Sequence, residues 1–186
     1  MKLEEFQQNV LNALKERSGP SDEHPYFTDL RGSYVYKLTH ETVVYWRTSQ
    51  ISRLCVLTTR YLNSVNRLGE VIMELYKKYA LSNFADEVSF SFLDKMAESE
   101  DHILASVAAF ERANLARRFG REVPMVTKWK CEPTAILHAL MKNNYSIEAQ
   151  KPGSFITHVL PEVSQGFEIH SSEEWSKKQD ETYYQY

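Results

Sequence analysis

The sequence predicts a mainly α-helical chain, an N-terminal helical domain followed by a small C-terminal α+β lobe with a short β-sheet. Three observations carry this. Apolar residues recur at helical spacing as far as Gly120. Glycine and proline number six each in 186 residues, too few turn formers for a many-stranded all-β fold. Past Gly120 the pattern changes to short β-branched and aromatic runs around one helix-like segment. The boundaries read from these shifts are 1–120 for the helical domain, 121–170 for the lobe and 171–186 for a polar tail.

Leu3, Phe6, Val10 and Leu14 place a first amphipathic helix that ends near Gly19-Pro20, and "SGPSDEHPYFTDLRGS" reads as a loop. From about Thr39 to Val65 the chain is helical in character, with Ile51, Leu54, Cys55, Thr58 and Leu62 on one face. Leu68, Val71, Ile72, Leu75 and Tyr79 form the next stripe, and Val88, Phe92 and Met96 a shorter one. The clearest helix follows. Ser99 is expected to cap it, with Glu100 and Asp101 in the first turn, Arg117 and Arg118 in the last, and Gly120 as its stop. Beyond it, "EVPMVTKW" is β-like and "EPTAILHALMK" is a helix with Pro133 in its first turn. "SFITHVLP" and "GFEIHS" are strand candidates. The tail carries Trp175, Tyr183, Tyr184 and Tyr186, and is expected to lie loose or to clasp a partner.

Charge and cysteine content narrow the function classes. Net charge is −3, without the Lys and Arg excess that displaces counterions from nucleic-acid phosphates. Two cysteines far apart, Cys55 and Cys131, do not make a disulfide framework. Glu4, Glu5, Gln7 and Gln8 interrupt the N-terminal apolar residues, and no stretch reaches the length of a membrane span. The expectation is a soluble, cytoplasmic protein.

No constellation for self-contained catalysis stands out, so no catalytic or metal residue is assigned. Cys131 precedes a helix and His138 lies further along it, too far along the axis for a direct hydrogen bond. His40-Glu41 begins like a zinc-protease motif, but Val44 occupies the position of the second histidine. Glycine-rich phosphate loops are missing, and Ser154 after Gly153 lacks the second glycine of a nucleophile elbow. What remains are surfaces. Arg112, Arg117, Arg118, Arg121, Lys128 and Lys130 follow an acidic stretch, "ADEVSFSFLDKMAESED", an asymmetry suited to docking. "SFITHVL" has the composition of a strand whose edge could accept an extended peptide.

Taken in order, "LEEFQQNVLNAL", "VVYWRTSQISRL", "VNRLGEVIMELYKKYA", "FLDKMAESEDHILASVAAFERA", "EPTAILHAL" and "SFITHVLPEVSQGFEI" span nearly the whole chain. This series resembles a family of small proteins, often labelled DNA-binding, found beside TIM-barrel multinuclear iron enzymes that modify ribosomally made peptides. Within it the chain is most similar to the branch that serves methanobactin biosynthesis. The resemblance implies a heterodimer with the iron-bearing TIM-barrel subunit, binding of a precursor peptide's leader, and no cofactor in this chain. In that complex, cysteines of the core peptide are oxidised with dioxygen to oxazolone–thioamide groups. On this reading, leader pairing is expected at an edge around Phe155, Ile156, Thr157 and His158. Partner docking is expected on Arg117, Arg118 and Arg121 and on Trp175, Tyr183 and Tyr184. Two alternatives stay open, a partner of a related iron enzyme acting on another peptide and a DNA-binding regulator. The regulator would have to use "ERANLARRFGR" as its recognition helix.

Overall fold

The structure, a computed structural model, describes residues 3–14, 29, 32–78, 84–145, 151–162 and 165–183. Within them run α1 (Leu3–Leu14), α2 (Tyr34–Leu54), α3 (Val56–Ser64), α4 (Leu68–Lys78), α5 (Ala85–Ala97) and α6 (His102–Phe119). Then come β1 (Val126–Cys131), α7 (Pro133–Met141), β2 (Pro152–Val159), β3 (Phe167–Ser171) and α8 (Ser172–Tyr183). This is the mainly α architecture with a short C-terminal sheet that the sequence predicts. The expected end of α1 at Gly19-Pro20, most of the loop after it, and Tyr79, Tyr184 and Tyr186 lie outside the described residues.

Helix ends follow side-chain caps, and two of them differ from expectation. Ser33 Oγ accepts the Tyr36 N–H (3.1 Å), so α2 starts at Tyr34 rather than Thr39. The helical run then breaks at Cys55, where φ is −115° and ψ 56°. Glu111, 54 residues along the chain from Leu57, supplies the missing cap: its carboxylate oxygens accept the N–H groups of Leu57 (2.8 Å) and Thr58 (2.9 Å). At α6 the cap is Asp101 and not Ser99. Asp101 Oδ1 accepts from the Ile103 and Leu104 amides, while Ser99 Oγ accepts from Asp101 itself. The far end behaves as expected, with Gly120 at φ 63° in the left-handed region that a side chain would strain. Glu132 caps α7 through the Thr134 and Ala135 amides, with Pro133 in the first turn.

One cluster of buried side chains links the helices to the sheet. Ile51, Leu62, Phe92, Val107, Phe110, Trp129 and Leu137 all belong to it. Burying a side chain such as Phe110 contributes on the order of 2–3 kcal/mol. Trp129 is 2% exposed, meets Phe110 edge-on at 6.2 Å, and donates its Nε1–H to Thr157 Oγ1 (3.0 Å). That bond satisfies the buried indole at the centre of the sheet.

The three strands are antiparallel in the order β1-β2-β3. Thr127, Trp129 and Cys131 of β1 face the helical core, while Lys128 and Lys130 are exposed. The opposite face carries Ile156, His158, Glu168 and His170, and α8 packs across it through Trp175. Of the tail expected to lie loose or to clasp a partner, Ser172–Tyr183 form a helix that meets the sheet through Trp175. No described helix is long and apolar enough to cross a membrane.

Candidate functional site

The sheet has two outer edges, and the expected peptide-pairing strand is not one of them. β2 is hydrogen-bonded on both sides, so the backbone of Phe155, Ile156, Thr157 and His158 has no free edge to offer. Thr157 is fully buried beneath Trp129, and Ile156 is 6% exposed. The edge assignment is corrected accordingly: a peptide that adds a strand must use β1 or β3.

Backbone alternation separates those two edges. The Val159 N–H donates to Met125 O (2.9 Å), so Val126 and Lys128, before the bulge that follows Trp129, turn their backbone groups away from β2. On that side Ser106 of α6 donates its hydroxyl to Lys128 O (2.9 Å), which ties β1 to the helical layer. On the other side the Leu160 N–H donates to Gly166 O (3.2 Å). Gly166, Glu168 and His170 therefore pair with β2, while Phe167, Ile169 and Ser171 face outward. Ser171 N–H is taken by Glu174 Oε2 (2.8 Å), and Ser171 Oγ accepts the Glu174 N–H (3.2 Å), a capping box that starts α8. Phe167 and Ile169 thus present the outer row of N–H and C=O groups of an edge strand.

Beside this edge sits an aromatic and imidazole shelf. Trp175 lies 5.1 Å from the His158 ring and 5.4 Å from the His170 ring. His170 Nε2 and Lys178 Nζ both meet Glu168 Oε2, at 3.0 and 2.7 Å. These two partners hold the Glu168 carboxyl down at about 2. Burial lowers the His158 pKa, chiefly by desolvation, and its Nδ1 has no hydrogen-bond partner among the described residues. The shelf is thus an amphipathic surface, mixed charge at one end and an indole face at the other.

The basic residues expected to dock a partner have divergent fates. Arg117 is an internal strut: its Nη1 donates to the carbonyls of Leu160, Glu162 and Gly166, and Nη2 to Asn114 Oδ1 (3.0 Å). It fixes the turn between β2 and β3, and with it the start of the open edge. Arg121 pairs with Asp86 (2.7 Å) and lies over the Phe90 ring at 4.4 Å. Arg112 pairs with Asp94. Arg118 alone of the expected trio Arg117, Arg118 and Arg121 stands exposed with no partner among the described residues. Trp175 is committed to the shelf, Tyr183 ends α8, and Tyr184 lies outside the described residues.

Cys131 is buried at 3% exposure, which pushes its thiol pKa up, whereas His138 is exposed on α7. A buried, protonated thiol is a poor nucleophile. Among the described residues no three His, Cys, Asp or Glu side chains converge to hold a metal ion. A surface that sequence patterning missed is the outer face of α2, where Tyr34, Val35, Leu38, Tyr45 and Trp46 are all exposed. Its signal was present: apolar residues surround that helix instead of forming one stripe.

Compared with known proteins, the chain matches no family model, no curated protein and no solved structure.

Proposed function

We propose that this chain is a non-catalytic accessory subunit that binds the leader of a ribosomally made precursor peptide and pairs with a TIM-barrel iron-containing oxidase. The sequence resemblance set out above suggests the C component of the methanobactin biosynthesis oxidase as its counterpart. The observation that carries the peptide-binding part is the outward edge of β3 at Phe167 and Ile169, flanked by the Trp175 shelf. An extended leader adding there gains main-chain hydrogen bonds, and its alternate side chains fall on the shelf. Holding the leader raises the effective concentration of the core cysteines at the partner's iron. The oxidative chemistry, conversion of cysteines to oxazolone–thioamide groups with dioxygen, belongs to that partner.

Free, buried Cys55 and Cys131 fit a reducing compartment, and the cytoplasm is the location proposed. The DNA-binding alternative draws less support from the fold. Glu111, Ala113, Leu115 and Ala116 of α6 are buried, Arg112 and Arg121 are paired with carboxylates and Arg117 is spent on carbonyls, which leaves Arg118 alone among the arginines of "ERANLARRFGR" to meet a groove. Hydrogen exchange on the full chain tests the peptide edge, using a synthetic leader of a candidate precursor. Slowed exchange at the Phe167 and Ile169 amides supports it; unchanged exchange there with a bound leader overturns it.

A further inference from the structure

A second concave surface lies on the other side of Phe167, between α2, α3, α6 and α7. It is a cleft of about 400 Å³. Arg53, Arg60 and Arg118 line it, above an apolar floor that includes Leu57 and Phe110. Met141, 68% exposed, and Phe167, 41% exposed, add apolar surface to its lining. Large apolar side chains left this exposed beside a concavity mark a contact surface, and methionine in particular adapts to varied partners.

The charges in this cleft are unevenly matched. Arg60 Nη1 donates to the Leu140 (3.0 Å) and Met141 (2.6 Å) carbonyls at the end of α7, which anchors it. Arg53 and Arg118 are exposed and have no partner among the described residues. Glu111 is the carboxylate among the described lining residues, and both its oxygens are turned to the α3 amides. Burial also raises its pKa to about 7, which weakens it further as a counter-charge. In a chain of net charge −3, the cleft is a local concentration of uncompensated positive charge over apolar surface.

We infer that this cleft docks a segment of a partner protein that carries carboxylates beside apolar side chains. The carboxylates meet Arg53 and Arg118, and the apolar side chains lie on Leu57, Phe110 and Met141. A bare phosphate would leave the apolar floor exposed, and a stiff duplex does not enter a concavity of this size. A segment with both features satisfies guanidinium and apolar surface together, since planar guanidinium groups suit carboxylates. That the segment belongs to the iron-containing subunit rests on the function proposed above; the chemistry of the cleft does not.

The test uses the full chain and a fluorescein-labelled synthetic peptide of Leu, Phe and Glu residues, followed by anisotropy. The same peptide with Lys in place of Glu is the control. Binding of the Glu peptide, about tenfold or more tighter than the Lys peptide, is expected. A doubly substituted Arg53→Glu, Arg118→Glu chain should lose about tenfold or more in affinity. Both side chains are exposed, and each sits in the last turn of its helix, so its melting temperature should fall by only a few degrees, which leaves the chain folded at the temperature of the assay. Met141→Glu should weaken binding as well, and Ile169→Pro, at the sheet edge, should not. No binding, equal binding of the Lys peptide, displacement by a short DNA duplex, or indifference to the double substitution would each overturn the inference. Purification of the double variant with its native partner separates the two claims. An iron protein retained undiminished by the variant removes the cleft's role and leaves the accessory-subunit reading intact. Probe binding as expected with no iron protein on the wild-type chain removes that reading and leaves the cleft.

Discussion

Glu111 shows how much a single side chain organises here. It is buried, caps α3 from another helix, and has its carboxyl pushed up to about 7 by desolvation, with the Leu57 and Thr58 amides and Arg60 pulling the other way. Arg53 and Arg118 are the other charged groups lining the same cleft. Because the folded value lies above the ordinary 4.5, the folded chain keeps a proton that the unfolded chain has lost between those pH values. The contribution of Glu111 to stability therefore falls as pH rises from about 4.5 to about 7, by at most about 1.4 kcal/mol per unit, and is flat above that. Urea unfolding between about pH 5 and about pH 8 should show this slope, reduced in Glu111→Gln; an identical slope in the variant would contradict it. Asp101 is a second such residue, since Oδ2 also accepts the Tyr61 hydroxyl (2.6 Å). Asp101→Ala should cost about 2 kcal/mol, more than Tyr61→Phe, because it removes a cap and strands a phenol. Neither role was legible locally. Residue type alone does not separate Ser99 from Asp101 as the cap, and the bond that Tyr61, 40 positions away, donates to the second oxygen of Asp101 is invisible in the local sequence.

At the scale of elements, local patterning found most helices and strands but not their breaks or neighbours. The apolar stripe through Ile51, Cys55, Thr58 and Leu62 continues across Cys55, so nothing local reveals that α2 and α3 are separate. Their division depends on Glu111, a tertiary cap. The order of strands is equally non-local: "SFITHVLP" is β-branched and aromatic because β2 is central and covered on both faces, a composition that an edge strand could share. The α8 helix, by contrast, could have been read from the sequence, because Ser171 and Glu174 have capping-box spacing. Trp175 is its main visible anchor, contacting His158 and His170. Trp175→Ala should cost about 1–3 kcal/mol and speed hydrogen exchange across residues 172–178, with α6 amides little changed. Uniform loss of protection throughout the chain would mean that α8 is part of the central folding unit instead.

For the whole molecule, the described residues of the helical layer, the sheet and α8 leave the β3 edge turned outward and an arginine-lined cleft beside it. Phe167 belongs to both surfaces, at the start of β3 and in the cleft lining, and packs on Phe110 at 4.9 Å. Arg117 links them as well, since its bonds to Leu160, Glu162 and Gly166 set the turn from which β3 departs. Arg117→Ala should therefore destabilise the fold by about 2–3 kcal/mol and weaken leader binding through the displaced edge, whereas Arg118→Ala should leave stability unchanged. Denaturant midpoints alongside leader titrations check both; equal midpoints for the two variants would contradict the strut. The basic run "ERANLARRFGR" looked like one surface in the sequence, yet its arginines serve an internal strut, ion pairs with Asp94 and Asp86, and an open rim. Charge spacing along a chain does not say which carbonyls or carboxylates folding brings within reach.

The most direct measurement is purification of the tagged chain, gently and from its source cells, recording co-purifying polypeptides and bound iron together. Wild type and Ile169→Pro would be run side by side, since proline removes an outward donor of β3 and leaves the ladder to β2. The account predicts a stoichiometric iron-containing subunit with both, and a precursor peptide retained by the wild type alone. A solitary, metal-free chain, or a precursor held equally by both, would contradict it.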